Sequence, residues 1–236
     1  MEHIDMFVAT LKQHGVVVSD RQLEQFAIYA KMLVEWNEKM NLTAIVDEAE
    51  IYEKHFLDSI LPSFDIPLKG CLCDIGAGAG FPSIPLKIIY PDLQVTIVET
   101  LGKRVTFLNE LCKALGLSGV TCLHARAEEA VVELRESFDF GTARAVANLP
   151  MLCALCIPYI KLKGHFIAMK GSGGREEMAD ASKAVRVLGC KEAGVYEVEL
   201  SDGSKRVNID YQKVRATPKQ YPRQFAKIKK SPLKGE

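Results

Sequence analysis

Three alternating glycines, in Asp74-Ile75-Gly76-Ala77-Gly78-Ala79-Gly80-Phe81-Pro82, directly follow the apolar stretch Cys71-Leu72-Cys73. Where a buried strand turns into a helix, glycine permits positive φ and lets another group approach the main chain without meeting a Cβ. In a wound α/β sheet that turn lies at the carboxyl end of the first strand, where adenosine-containing ligands bind. The rest of the chain alternates to match. Strands are expected over 71–75, 94–99, 120–124, 138–145 and 165–169. Helices are expected from Pro82 and over 103–115, 151–160 and 176–188, with Gly116 as a stop. Two closing strands, 195–200 and 206–214, leave the last one antiparallel. The expected fold class is α/β, a mostly parallel Rossmann-like sheet.

Spacing and charge select among such ligands. The dinucleotide fingerprint is G-x-G-x-x-G with an acid about 20 residues on. Here the spacing is Gly76-x-Gly78-x-Gly80, and the acid is Glu99, closing the apolar run Val95-Thr96-Ile97-Val98. A carboxylate there accepts hydrogen bonds from both ribose hydroxyls, in nicotinamide dinucleotides and in S-adenosylmethionine (SAM) alike. Asp74 separates the two, because an acid before the first glycine repels a pyrophosphate and attracts the ammonium and sulfonium of SAM. Charge complementarity favours SAM. An NAD(P)-dependent oxidoreductase is the rival, and a glycine turn with no ligand is the bland alternative.

The first 60 residues hold five Lys/Arg against eleven Asp/Glu and read as helical. Ser19-Asp20 starts a helix whose stripe is Leu23, Phe26, Ala27, Ala30, Leu33 and Val34. A further helix carries Ile51, Tyr52, His55, Phe56 and Ile60 and stops before Pro62. The expected organisation is a helical cap, 1–60, over a core, 61–236. The opening residues hold no signal-like apolar stretch, and Pro150 and Pro158 interrupt the most apolar window. Seven cysteines lying in apolar runs argue against a disulfide framework and for a reducing cytoplasm. Cys153-x-x-Cys156 has no second pair at metal-site spacing, so no metal is expected.

Net charge is zero by count, yet Tyr211 to Leu233 contains seven basic residues and no acid. They are Lys213, Arg215, Lys219, Arg223, Lys227, Lys229 and Lys230, interleaved with Tyr211, Tyr221 and Phe225. Such a segment neutralises phosphates and offers aromatic faces to bases, or it is simply a solvated terminus. Arg144 ends an apolar strand, where a buried cation needs a partner: a ligand carboxylate, an RNA phosphate, or Asp139 or Asp74. Arg126 and Lys170 raise the same question at the ends of strands three and five. Lys103 and Arg104 oppose the dipole of the helix they open. Ala127-Glu128 either reads the adenine edge or forms an acidic first helical turn.

These residues together resemble the RsmG (GidB) family, bacterial 16S ribosomal RNA guanine-N7 methyltransferases. The resemblance rests on Trp36-Asn37 with Asn41-Leu42-Thr43, on His55-Phe56-Leu57-Asp58-Ser59, and on the 74–82 segment. It continues through Leu101-Gly102-Lys103-Arg104, Arg126-Ala127-Glu128, Thr142-Ala143-Arg144-Ala145, Lys170-Gly171 and Tyr221-Pro222-Arg223. Ser83 departs from it, standing where the family has glycine. The resemblance implies a SAM-dependent methyltransferase with Gly76 and Phe81 lining the cofactor pocket and Ala127-Glu128 at the adenosine. Arg144 would bridge cofactor and substrate, and Asn41, His55, Lys103, Arg126 and Lys170 would join the site. The implied partner is 16S rRNA or the small ribosomal subunit, without a membrane, for a monomeric chain. A non-catalytic RNA-binding module and a small-molecule methyltransferase remain as alternatives.

Overall fold

The computed structural model describes residues 2–235. The N-terminal part is helical: α1 (Glu2–Gln13), α2 (Asp20–Met40), α3 (Glu48–Glu50), a π-helical stretch (Ile51–Leu57), α4 (Asp58–Ile60) and α5 (Pro62–Asp65). Ser19 and Gln22 form a reciprocal capping box at the start of α2. Phe26, Ala30 and Leu33 of the expected stripe are buried, joined by Tyr29 and Gln25.

Strands and helices then alternate: β1 (Cys71–Ile75), α6 (Ser83–Ile89), β2 (Gln94–Glu99), α7 (Gly102–Ala114), β3 (Val120–His124), α8 (Ala127–Leu134) and β4 (Phe138–Arg144). There follow α9 (Leu149–Cys156), β5 (Ile160–Lys170), α10 (Gly174–Leu188), β6 (Cys190–Glu199), β7 (Lys205–Lys213) and α11 (Phe225–Lys230). The seven strands lie in the order β3-β2-β1-β4-β5-β7-β6. Only β7 runs against the others, antiparallel to both β5 and β6.

Each face of the sheet carries its own apolar core. One joins the N-terminal helices to α6 and α7 through Phe26, Tyr29, Phe56, Ile84, Phe107 and Leu111. The other gathers α8, α9, α10 and α11 around Leu152, Tyr159, Phe166 and Ile228. Covering both faces is what lets β1 and β4 be buried along their length.

The basic segment departs from expectation. Tyr211 and Lys213 belong to β7 and are buried. Lys213 Nζ sits 3.2 Å from a carboxylate oxygen of Glu136 and donates to Thr217 Oγ1 and the Ile157 carbonyl. Neither residue is open to RNA. Lys219, Lys227, Lys229 and Lys230 are exposed.

Candidate cofactor and substrate site

At the carboxyl ends of β1 and β2 lies a cavity of about 480 Å³, bordered by Gly76, Glu99, Leu101, Arg104, Ala127 and Val146, among others. The three glycines serve three needs. Gly76 (φ +74°) closes β1, and a Cβ on it would lie 2.8 Å from Val146 Cγ2. Gly78 (φ +61°) has open space around it, and its N–H donates to Glu99 Oε2 at 3.1 Å. Gly80 (φ +101°) is needed for packing, because a Cβ would meet the Tyr29 hydroxyl at 2.7 Å. That hydroxyl donates to the Ala79 carbonyl, pinning the turn to α2.

Glu99 is buried and ties the β1 turn to the β2 turn. Its Oε1 accepts from the Leu101 N–H at 3.0 Å, and Arg104 lies 3.7 Å from Oε2. Leu101 and Val146 are 52% and 39% exposed, large apolar side chains left facing this space. Leu155 and Phe225 add further apolar wall. A buried carboxylate among apolar walls suits a ribose diol attached to a flat base, so the residues fit the adenosyl part of SAM. Ala127 and Glu128 border the cavity, and Glu128 stands in the acidic first turn of α8.

Asp74 does not border the cavity. It is fully buried, and its Oδ2 caps α6 by accepting from the Ser83 N–H at 3.2 Å. Asp74 Oδ1, Ser83 Oγ and Thr142 Oγ1 are buried without hydrogen-bond partners among the described residues. Burial pushes the Asp74 carboxyl up to about 7. The expected contact between Asp74 and a ligand in this cavity is therefore not provided: the carboxylate points to α6 and, held near 7, is only partly charged at neutral pH.

Arg144 lies next to the cavity, under the N-terminal helices. Its NH1 donates to Asp58 Oδ2 at 2.8 Å and to the Lys54 carbonyl; its NH2 is 3.3 Å from His55 Nδ1. The guanidinium also covers the Phe81 ring, 4.8 Å from its centroid. Asp58, not Asp139 or Asp74, is thus the partner, and it takes a second guanidinium from Arg206 at 2.8 Å. His55 stacks on Phe81 at 4.4 Å and pairs through Nε2 with Thr43 Oγ1. Burial, then the nearby Arg144 charge, lower the His55 imidazole to about 3, leaving it neutral. With Arg144 donating to Nδ1, the proton sits on Nε2 and is donated to Thr43. Phe81 lies between His55 and Tyr29 on the side of the N-terminal helices, not on the cavity wall.

The other expected site residues are dispersed. Asn41 takes a left-handed conformation to end α2. Lys103 and Arg126 are exposed, Arg126 at the cavity and 3.9 Å from Glu128. Lys170 donates to the Ala147 carbonyl at 3.0 Å and pairs with Glu177, which in turn accepts from the Leu149 N–H. It holds the loop after β4. Asp58 stands in the sequence only as part of the His55-Phe56-Leu57-Asp58-Ser59 motif and Arg206 as no site residue; their pairing spans 148 residues. Among the described residues, no group of three or more His, Cys, Asp or Glu is placed to hold a metal, and no helix is long and apolar enough to cross a membrane.

The strand order, the glycine turn and the carboxylate closing β2 define a Rossmann-like fold of the SAM-dependent methyltransferase type. Solved structures share it. A precorrin-6y C5,15-methyltransferase from Geobacter metallireducens superposes with a TM-score of 0.52 at 16% identity, over 66% of this chain and 87% of that one. TYW2 of M. jannaschii, solved with AdoMet, gives 0.50 at 17% identity over 61% and 69%. The chain belongs to the GidB family, whose model, described as rRNA small subunit methyltransferase G, matches residues 22–205. Proteins named ribosomal RNA small subunit methyltransferase G are similar along the whole length. The one from Staphylococcus haemolyticus is 49% identical over 99% of both chains. That from Bacillus pumilus is 51% identical over 99% of this chain and all of its own. Membership of this family displaces the oxidoreductase alternative.

Proposed function

We propose that this chain binds SAM in the cavity beside Glu99 and methylates N7 of a guanine in 16S ribosomal RNA, in the cytoplasm. The observation that carries this reading is the fit of that cavity to an adenosyl group in a chain half-identical, end to end, to small-subunit rRNA methyltransferases. Bound there, SAM supplies an electrophilic methyl group, which guanine N7 accepts through a lone pair that carries no proton. A general base is then unnecessary, and the neutral, fully engaged His55 is consistent with that. The protein's contribution is positioning and electrostatics. Glu99 holds the ribose, and the backbone at Gly76 gives close approach. Arg144, locked by Asp58, His55 and Phe81, presents a fixed positive charge between the cofactor cavity and the helices over it. Exposed Arg126, Lys103 and the lysines of α11 supply charge for RNA phosphates. Residues 1–60 act as the cap that orders His55 and Asp58 against Arg144.

Labelled methyl transfer from SAM to small subunits and to naked 16S rRNA tests the reading, with mass spectrometry of the nucleosides. The expected product is 7-methylguanosine. No transfer to either substrate, or label on another atom, overturns it.

A further inference from the structure

Phe225 opens α11 and lies outside the residues 22–205 that the family model matches. Its partly buried ring borders the 480 Å³ cavity beside Leu155, Arg126 and Glu128. It also borders a second hollow of about 570 Å³ shared with Arg126, Glu128 and Val132. One aromatic side chain therefore stands between two cavities at the first turn of α8.

The segment carrying that ring is firmly held. Arg135 donates to the carbonyls of Tyr221 and Thr217 at 2.7 Å and of Pro218 at 3.1 Å. The Thr217 N–H donates to Glu136, and its hydroxyl to the Leu188 carbonyl. On the far side of Phe225, Ile228 is completely buried in the second core. A flat ring held on both sides and bordering the cavity loses little entropy when a planar group stacks on it. The Ala127–Glu128 end of the cavity thus has an aromatic wall supplied by the last stretch of chain.

We infer that Phe225 is a cofactor-binding residue, contacting the adenine of SAM and making the C-terminal segment part of the cofactor site. The inference rests on the SAM reading above. Titration calorimetry with S-adenosylhomocysteine and with adenosine, on wild-type protein, Phe225→Ala and Phe225→Trp, tests it. Phe225→Ala should weaken both ligands about tenfold, within the range for losing an aromatic partner to a base. Phe225→Trp should restore affinity to within about threefold, because a larger face still stacks. Should Phe225→Ala fold poorly, Phe225→Leu keeps the bulk, removes the aromatic face, and should still weaken both ligands. A folded Phe225→Ala or Phe225→Leu with wild-type affinity overturns the inference. So does a loss confined to rRNA binding, which would assign the ring to the nucleic acid. Failure of the wild-type protein itself to bind S-adenosylhomocysteine would instead remove the functional reading.

Discussion

Asp58 holds two guanidiniums on one buried carboxylate, and Arg144 is the more enclosed of the two. Removing one partner of a buried ion pair costs about 3–5 kcal/mol. Both arginines retain some solvent access, so Asp58→Asn should lower stability by about 2–3 kcal/mol in urea unfolding. A change below about 0.5 kcal/mol would mean the pairing contributes nothing. Arg144→Ala leaves Asp58 with Arg206, so its stability loss should be smaller, about 1–2 kcal/mol. Methyl transfer should nevertheless fall about 100-fold or more, the scale for losing a positioned charge. A stable Arg144→Ala protein with wild-type turnover would end that assignment. His55 and Asp74 add a pH signature of opposite signs. Folded His55 titrates near 3, against about 6.5 unfolded. Within that window the unfolded chain binds the extra proton, so falling pH destabilises the fold. Folded Asp74 titrates near 7, against about 3.8 unfolded. There the folded chain binds the extra proton, so its contribution is complete below about 3.8 and is lost as pH rises toward 7. Relative to wild type, His55→Gln should lose stability as pH rises from about 4 to 6.5, and Asp74→Asn should gain it. Denaturation midpoints that shift in parallel across that range would refute the assignment.

At the scale of elements, the strands bounded by strong punctuation were legible to the residue. β1, β2 and β3 match their expected limits because turn residues or sharp polarity changes flank each apolar run. β5 starts at Ile160, five residues before the expected 165; its first part is bulged against β4, with Lys163 at positive φ, so the alternation that marks a strand in sequence is broken there. α11 was hidden for a different reason: its only fully buried side chain is Ile228, too little for a periodic pattern. The end of β7 gives the clearest case of a misleading local signal. Lys213 looks like one more solvated cation, but long-range packing surrounds it with Glu136, Thr217 and the Ile157 carbonyl. Burial pushes its ammonium pKa down. Lys213→Ala should therefore destabilise the protein by about 2–3 kcal/mol, whereas Lys227→Ala on the exposed face of α11 should change stability by less than about 0.5 kcal/mol. Equal effects in thermal unfolding would show that the burial of Lys213 is unimportant.

Across the whole molecule, the proposed site draws on three separated pieces of chain at one end of the sheet. The glycine turn and Glu99 come from its centre, His55 and Asp58 from the N-terminal helices, and Phe225 from the last helix. The glycine turn, its cofactor class and Glu99 were readable because their chemistry is local. The Asp58–Arg144–Arg206 cluster and the Phe225 wall were not, because each depends on residues brought together only by folding. A ligand seated in the cavity touches both sides of the sheet edge and should therefore stabilise the molecule as one unit. At a hundredfold excess over its dissociation constant, a ligand binding only the folded chain adds about 2.7 kcal/mol. For a chain of this length that corresponds to a rise in melting temperature of about 5–11 °C. S-adenosylhomocysteine should give such a rise and NAD none, since the Gly76-x-Gly78-x-Gly80 spacing is not the G-x-G-x-x-G turn of a dinucleotide site. Gly76→Ala should abolish the rise, because its Cβ would strike Val146 and strain a backbone at φ +74°. Equal shifts with NAD, or an undiminished shift in Gly76→Ala, would place the ligand somewhere other than this sheet edge.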